Sequence, residues 1–394
     1  MSFLKQDRKG DPDTLSNRSF FFLNLSFFLV FSNIGFFYLY PLALDAMGIG
    51  KHPIGWVMGL FSISAVLSRP FMGKAAIRRG EYRVISFGLA LILIASLSYN
   101  LTSSFGLAML ATRVIHGVGF SAFIAGAFSL TARRIPPLRR GAAFSLVGVS
   151  LMAAIATAPY LGEAVIRGHG FHTLYMFAAG TVILAWLAMI IGVDPGPPRS
   201  RKYEKAVRYL PLLRNRPFLF LLCSTLVFAH AQATVTTFLS LIAAQDLAPI
   251  GRFFFVSYSA AILILLILAR ILDRCEKPTL LLISYPILSL GIIITPDTIA
   301  SGLFVIPAMM FGISIGALFA VHNTLTASHG TMEEKPAVMA LFTGIYDTGF
   351  ITGAVVSGWL AHQIGLDLLF ISTGVFALLG LLIAEVIRTR SFYR

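Results

Sequence analysis

Residues 133–162, RRIPPLRRGAAFSLVGVSLMAAIATAPYLG, run from a basic loop straight into an apolar helix studded with small residues. A second copy of this plan lies half a chain later. A shift of about 196 positions lays EKPAVMALFTGIYDTGFITGAVVSG over it, so that Gly344 falls on Gly148 and Gly358 on Gly162. The same shift, with no gap, lays ARILDRCEK (269–277) over GKAAIRRGE (73–81) and matches Arg274 to Arg78. Two halves built alike, each rich in apolar runs of membrane length, read as a parallel internal repeat.

With 57% hydrophobic and 12% charged residues and a mean hydropathy of +0.82, the chain has too little polar surface for a soluble globule. It reads as an all-α membrane protein. The formal charge of +14 does not point to nucleic acid, because the basic residues sit between apolar runs and form no groove with interleaved aromatics. Cys223 and Cys275 are too few and too scattered for a disulfide framework or a metal cage. Residues 1–18 are polar and of mixed charge, and the first apolar run is too long for the h-region of a cleaved signal peptide.

A bilayer core needs about 20 apolar residues per helix. That length predicts twelve spans, at 20–44, 54–75, 84–101, 105–131, 142–166, 172–193, 217–243, 252–272, 279–296, 300–325, 338–361 and 366–387. Assigning alternate loops to the cytoplasm collects 26 of the 31 Lys and Arg there, leaving Lys51, Arg167 and Arg252 outside and Arg69 and Arg113 within spans. This asymmetry predicts cytoplasmic termini. The expected organisation is a tail (1–19), a six-helix bundle (20–193), a basic linker (194–216), a second six-helix bundle (217–388) and a tail (389–394). The linker carries seven positive charges and opens on Pro195, Pro197 and Pro198. Its YEKAVRYL portion reads equally as an amphipathic helix on anionic headgroups or as a solvated tether.

The loop after the second helix of each half holds Gly73, Arg78 and Gly80 in one copy and Asp273-Arg274 in the other, helix four holds Arg113, Gly117 and Gly119, and helix five closes on Ala158-Pro159-Tyr160-Leu161-Gly162. In these motifs the chain resembles the major facilitator superfamily over essentially its whole length. That family carries a pattern like G-x-L-A-D-R-x-G-R-R in the second-to-third helix loop of each half, where the acid and its arginines hold a cytoplasmic gate. Here the second copy keeps the acid as Asp273, followed by Arg274; the first keeps Gly73, Arg78 and Gly80 but has Ile77 where the acid belongs and Glu81 where a base is usual. The resemblance implies gating by Asp273 against Arg139 or Arg140, whereas Arg78 with its neighbours is equally explained as topology-setting charge. Helix four contains Arg113, His116, Gly117, Gly119 and Ser121, similar to the family's R-x-x-x-G-x-G-A motif. A charge that deep in a span must face the bundle interior. The resemblance gives Arg113 a part in proton coupling or anionic substrate binding; an anchor for backbone carbonyls is the structural alternative. Helix five ends in Ala158-Pro159-Tyr160-Leu161-Gly162, similar to the G-P-x-x-G motif of exporters, with alanine in place of the first glycine.

Arg69 lies about 12 Å in from the basic end of helix two and Asp347 about 14 Å in from that of helix eleven, at 1.5 Å per residue. Helices two and eleven meet between the halves in this family, so the matched depths predict an ion pair, either broken and re-formed during rocking or permanent. Glu163 is the second carboxylate available for protons. The family's cavity-lining helices one, four, seven and ten offer Asn33, Tyr38, Arg113, His116, His230, Gln232, His322 and Asn323 as the substrate cavity, with His322 close to the wet cytoplasmic end. No Walker loop, metal-ligand cluster or nucleophile elbow is present in the sequence. The expectation is therefore a monomeric, non-enzymatic secondary transporter of the bacterial inner membrane, without cofactor or metal. It would export a small organic solute in exchange for protons by alternating access. A uniporter, an importer, or a receptor or assembly factor on the same fold are the alternatives.

Overall fold

The computed structural model describes residues 18–135, 140–194, 209–245, 249–271, 275–331 and 334–389. Regular structure among them is helical throughout: α1 Arg18–Phe36, α2 Tyr40–Ala46, α3 Lys51–Arg79, α4 Glu81–Ser98, α5 Leu107–Arg134, α6 Arg140–Gly192, α7 Tyr209–Arg214, α8 Arg216–Gln245, α9 Ile250–Ile271, α10 Lys277–Ile293, α11 Thr295–Ala300, α12 Val305–Ser328, α13 Lys335–Ile364 and α14 Leu366–Thr389. In hydrocarbon every backbone N–H and C=O must be satisfied internally, and a helix does this within one segment. Ten of the described helices are long and apolar enough to cross a membrane. The 53-residue α6 is broken at Gly170, whose φ of 79° takes the chain out of helical geometry and suits a residue without Cβ. Dividing α6 there and adding the shorter apolar helix α10 brings the ten to twelve.

Where boundaries depart from expectation, prolines account for much of it. The first span is not one helix: a 3₁₀ turn at Phe37–Leu39 separates α1 from α2. Pro41 has no N–H to offer the Phe37 carbonyl, and the Tyr40 N–H takes that acceptor instead, tightening the turn. The ninth span ends at Ile293, and Pro296 opens the separate α11. Of the linker, residues 195–208 lie outside the described residues, including most of YEKAVRYL. The following helix α8 begins where Asn215 Oδ1 accepts the Phe218 N–H at 3.2 Å.

Packing repeats along with the sequence. In the first half α1 lies on α6, and both α3 and α4 lie on α5; in the second α8 lies on α13 and α14, and both α9 and α10 lie on α12. The halves touch chiefly along two crossings, α3 on α13 and α6 on α9, with a smaller contact of α2 and the turn before it on α8. Each crossing has a glycine near the start of one helix, Gly55 in α3 and Gly251 in α9, separated by the same 196 positions as the repeat. A Cβ on Gly55 would stand 2.5 Å from the Ala354 carbonyl and 2.8 Å from Gly358 Cα; one on Gly251 would stand 2.5 Å from Tyr160 Cα and 2.9 Å from the Pro159 carbonyl. Only glycine lets the backbones approach this closely.

The other end carries Arg78 and Arg79 of α3, Arg133 and Arg134 of α5 and Arg388 of α14. Toward it, a Cβ added at Gly73 of α3, Gly148 of α6 or Gly344 of α13 would meet nothing within 4 Å. Among the described residues the backbones of the two halves thus meet closely at the end opposite the basic one, and open space lies beside these three glycines toward the basic end.

Candidate functional site

A cavity of about 370 Å³ lies between the halves and draws its walls from both. Phe37, Phe61 and Phe120 contribute from the first half and Tyr258, Phe319 and Tyr346 from the second. Its charged lining is Arg69, Arg113 and Asp347, and His116 faces it as well.

Arg113 is 3% exposed. Its Nε donates to the Val57 carbonyl at 3.1 Å, Nη1 to Tyr99 Oη at 3.2 Å and Nη2 to Met58 Sδ at 3.3 Å. The guanidinium also lies over the rings of Tyr40 and Phe61, at 5.5 and 5.2 Å. From Tyr99 the bonds continue with a single sense. Tyr99 Oη, having accepted from Arg113, donates to His116 Nδ1 (3.2 Å); His116 Nε2 donates to Asn33 Oδ1 (3.0 Å); Asn33 Nδ2 donates to Ser96 Oγ and to the Ala178 carbonyl, both at 2.9 Å. These roles, assigned from the network, leave a neutral imidazole with both nitrogens satisfied.

Of the eight cavity residues expected from sequence, Tyr38, Arg113, His116 and Gln232 line the cavity. Gln232 Oε1 accepts from Tyr346 Oη at 2.8 Å, linking α8 to α13. The other four are not among its lining residues. Asn33 is fully buried behind His116. His230 turns away, its Nδ1 3.1 Å from Thr352 Oγ1 and its ring against Phe376. His230 and Gln232 are two residues apart and so about 200° apart around the helix, which forbids a common face. His322 is 0% exposed, not wet; it bonds the Leu318 carbonyl at 2.7 Å and Ser224 Oγ at 2.9 Å, and Ser224 meets Tyr285 Oη at 2.7 Å. Asn323 donates back to the Phe319 carbonyl at 2.8 Å and leaves the cavity wall to Phe319 itself.

Arg69 and Asp347 are brought together: Arg69 Nη1 bonds Asp347 Oδ2 across the α3–α13 crossing, with side chains 28% and 21% exposed. Glu163 lies elsewhere, near the end opposite the basic one. Its Oε1 accepts from Arg167 Nη2 at 2.6 Å, and its Oε2 accepts the Gly251 N–H at 2.7 Å across the α6–α9 crossing. Pro159 stands between Gly251 on one side and Gly35 of α1 on the other, whereas Gly162 packs inside its own half against Leu39, Phe36 and Leu174.

Among the gating residues, Gly80 turns α3 into α4 at a φ of 89°, and Arg78 is exposed beside it. Glu81 does not reach across to the other half. It pairs with Arg133 Nε at 3.3 Å and accepts from Ser129 Oγ at 3.3 Å, tying α4 to α5 within one bundle. Asp273, Arg274 and Arg139 lie outside the described residues, as does the Arg140 side chain. The sequence reading overlooked Tyr99, the link between Arg113 and His116. Its signal was available: a tyrosine closing the span that precedes a buried arginine, on the neighbouring helix.

The sequence pattern of the Major Facilitator Superfamily matches residues 20–251 and 248–391. The quinolone resistance protein NorA of Staphylococcus aureus is 24% identical over 233 residues, 58% of this chain and 59% of its own. The multi-drug resistance efflux pump PmrA of Streptococcus pneumoniae is 24% identical over 215 residues, 53% of this chain and 51% of its own. The chain thus spans little more than half the length of these curated relatives. Among solved structures, a mutant of the nucleoside transporter NupG superposes with a TM-score of 0.79 at 14% identity, covering 94% of this chain and 99% of NupG. A bacterial homologue of the human lysosomal transporter Spinster, in an inward-facing and unoccupied conformation, superposes with a TM-score of 0.74 at 15% identity, covering 95% and 98%. By sequence pattern and by fold, the chain belongs to the Major Facilitator Superfamily.

Proposed function

We propose that this multi-pass membrane protein exports a small organic solute across the bacterial cytoplasmic membrane by alternating access, in exchange for protons. The reading rests above all on one observation: a cavity walled by both halves, with two close glycine crossings between the halves at one end and open space beside Gly73, Gly148 and Gly344 toward the other. We take this as a chamber shut at the first end and open at the basic one. The positive-inside asymmetry makes the basic end cytoplasmic, with both termini on that side. Solute would enter from the cytoplasm, the halves would rock, and the glycine crossings would part to release it outside. The names of NorA and PmrA as resistance and efflux proteins support export.

In this reading Asp347 carries the proton. As a carboxylate it holds Arg69 across the crossing. When the halves rock and α3 parts from α13, Asp347 loses its arginine partner and takes up a proton from outside. On return to the state described here Arg69 displaces that proton to the cytoplasm and the pair re-forms, so proton and solute cross in opposite directions. One observation favours uniport instead: α1 carries no acidic residue, so the cavity has no carboxylate of its own from that helix. Purified protein in liposomes under an imposed pH gradient, screened with a metabolite extract, separates the two. Accumulation that follows the gradient supports exchange; accumulation that ignores it supports uniport; a D347N variant with unaltered pH dependence removes Asp347 from the mechanism.

A further inference from the structure

The charges facing the cavity do not cancel. Arg69 and Asp347 neutralise each other, whereas Arg113 has no carboxylate within salt-bridge distance among the described residues. Its acceptors are a carbonyl, a phenol and a thioether. A guanidinium has five N–H donors; three are engaged here, and the one on Met58 Sδ rests on a weak acceptor. The rings of Tyr40 and Phe61 spread the charge without cancelling it. A cation this deeply withdrawn from water, with an apolar chamber in front of it, attracts an anion far more strongly than a solvated one does. The Val57 and Tyr99 bonds hold the guanidinium plane still, and the edge on Met58, itself a lining residue, is the one a ligand could take over.

The rest of the lining says what should be attached to that anion. The walls near Arg113 are Phe37, Phe61 and Phe120, and the opposite wall adds Phe319 with Tyr258 and Tyr346. These surfaces suit flat apolar bodies. No unpaired carboxylate among the described lining residues is available to receive an ammonium group. The geometry points to an aromatic solute bearing one negative charge as the substrate class, its carboxylate bidentate on Arg113 in place of Met58 Sδ and its ring between the two aromatic walls. This assignment rests on the transport reading above and narrows it.

Three probes of one shape test it on the purified full chain: 2-naphthoate, 2-naphthamide and 2-naphthylmethylamine, compared by calorimetric titration. The expected order is naphthoate tightest, by at least about tenfold over the amide, with the amine weakest. In R113Q, checked for a monodisperse elution profile, the preference for naphthoate over naphthamide should vanish, and R113K should retain part of it. Equal binding of acid and amide, preference for the amine, absence of binding by all three, or a naphthoate preference that survives in R113Q each overturns the assignment. If R113Q does not fold, the ranking on the unaltered protein decides. Liposomes that accumulate a solute from the extract while naphthoate fails to bind preserve transport and discard this substrate class; naphthoate binding without any transport does the reverse.

Discussion

The two crossings between the halves are related by the 196-residue repeat yet are chemically opposite. At the shut end α3 meets α13 as bare backbone, Gly55 against Gly358, whereas α6 meets α9 through a carboxylate, Glu163 on the Gly251 N–H. Midway along, the polarity reverses. The first crossing carries the Arg69–Asp347 pair, while the positions equivalent to these in the second are Leu265 and Leu151. Each seam therefore has one smooth contact and one charged one, at different depths. Duplication supplied the geometry twice, and divergence placed the electrostatics so that a single protonation at mid-depth can weaken one seam without touching the other.

The largest effect should come from the mid-depth pair. Removing one partner of a largely buried pair costs about 3–5 kcal/mol, so D347A or R69A should lower the thermal midpoint in detergent by several degrees and abolish gradient-driven transport. The exchange R69D with D347R should recover part of both; recovery of neither would show that the pair is not what joins these helices. Next in size is G55V. Overpacking costs about 1–3 kcal/mol, and because the clash is with the opposite backbone the cost falls on the state observed here. Thiol labelling of a cysteine introduced at Tyr38 should become accessible from outside, and labelling that stays at the unaltered level would mean that this crossing does not close the outer end.

E163Q should act in the same direction but more weakly. It keeps an acceptor for the Gly251 N–H and loses the charge, a change of about 1 kcal/mol; W359E, which places an acid at the equivalent position of the other crossing, should not strengthen that seam, because Gly55 and Gly358 leave no room for it. Smallest of all is G344A. Nothing lies within 4 Å of the added methyl, so the helix propensity gain of about 0.5–1 kcal/mol should appear undiminished as a slightly raised midpoint. The matching G148A should do the same, and a large loss in either would contradict open space toward the basic end.

Much of this was legible before any coordinates. Gly162, Gly358 and the shared shift reveal the duplication because helix contacts in lipid depend on small residues, which leave a mark in sequence. The Arg69–Asp347 juxtaposition followed from matched depths together with the meeting of helices two and eleven that the family resemblance implies, since a charge deep in a span must find a partner. Rotation about each helix was harder to read. His230 and Gln232 share a depth but face opposite ways, and Asn33 lies about 140° around from Tyr38, so lists of polar residues by helix overcount a cavity. The inner gate was illegible for another reason. Ile77 marks a missing acid, but only the fold shows that Glu81 turns inward to Arg133 and binds its own bundle.

The bonds that begin at Arg113 and end on the Ala178 carbonyl cross α5, the turn closing α4, α1 and the second half of α6, and each donor in the series faces one way. Four helices strapped by such a one-way line cannot shear past one another without tearing it. The first bundle should accordingly swing as a single block, carrying its cation along like a bearing pin set in solid metal.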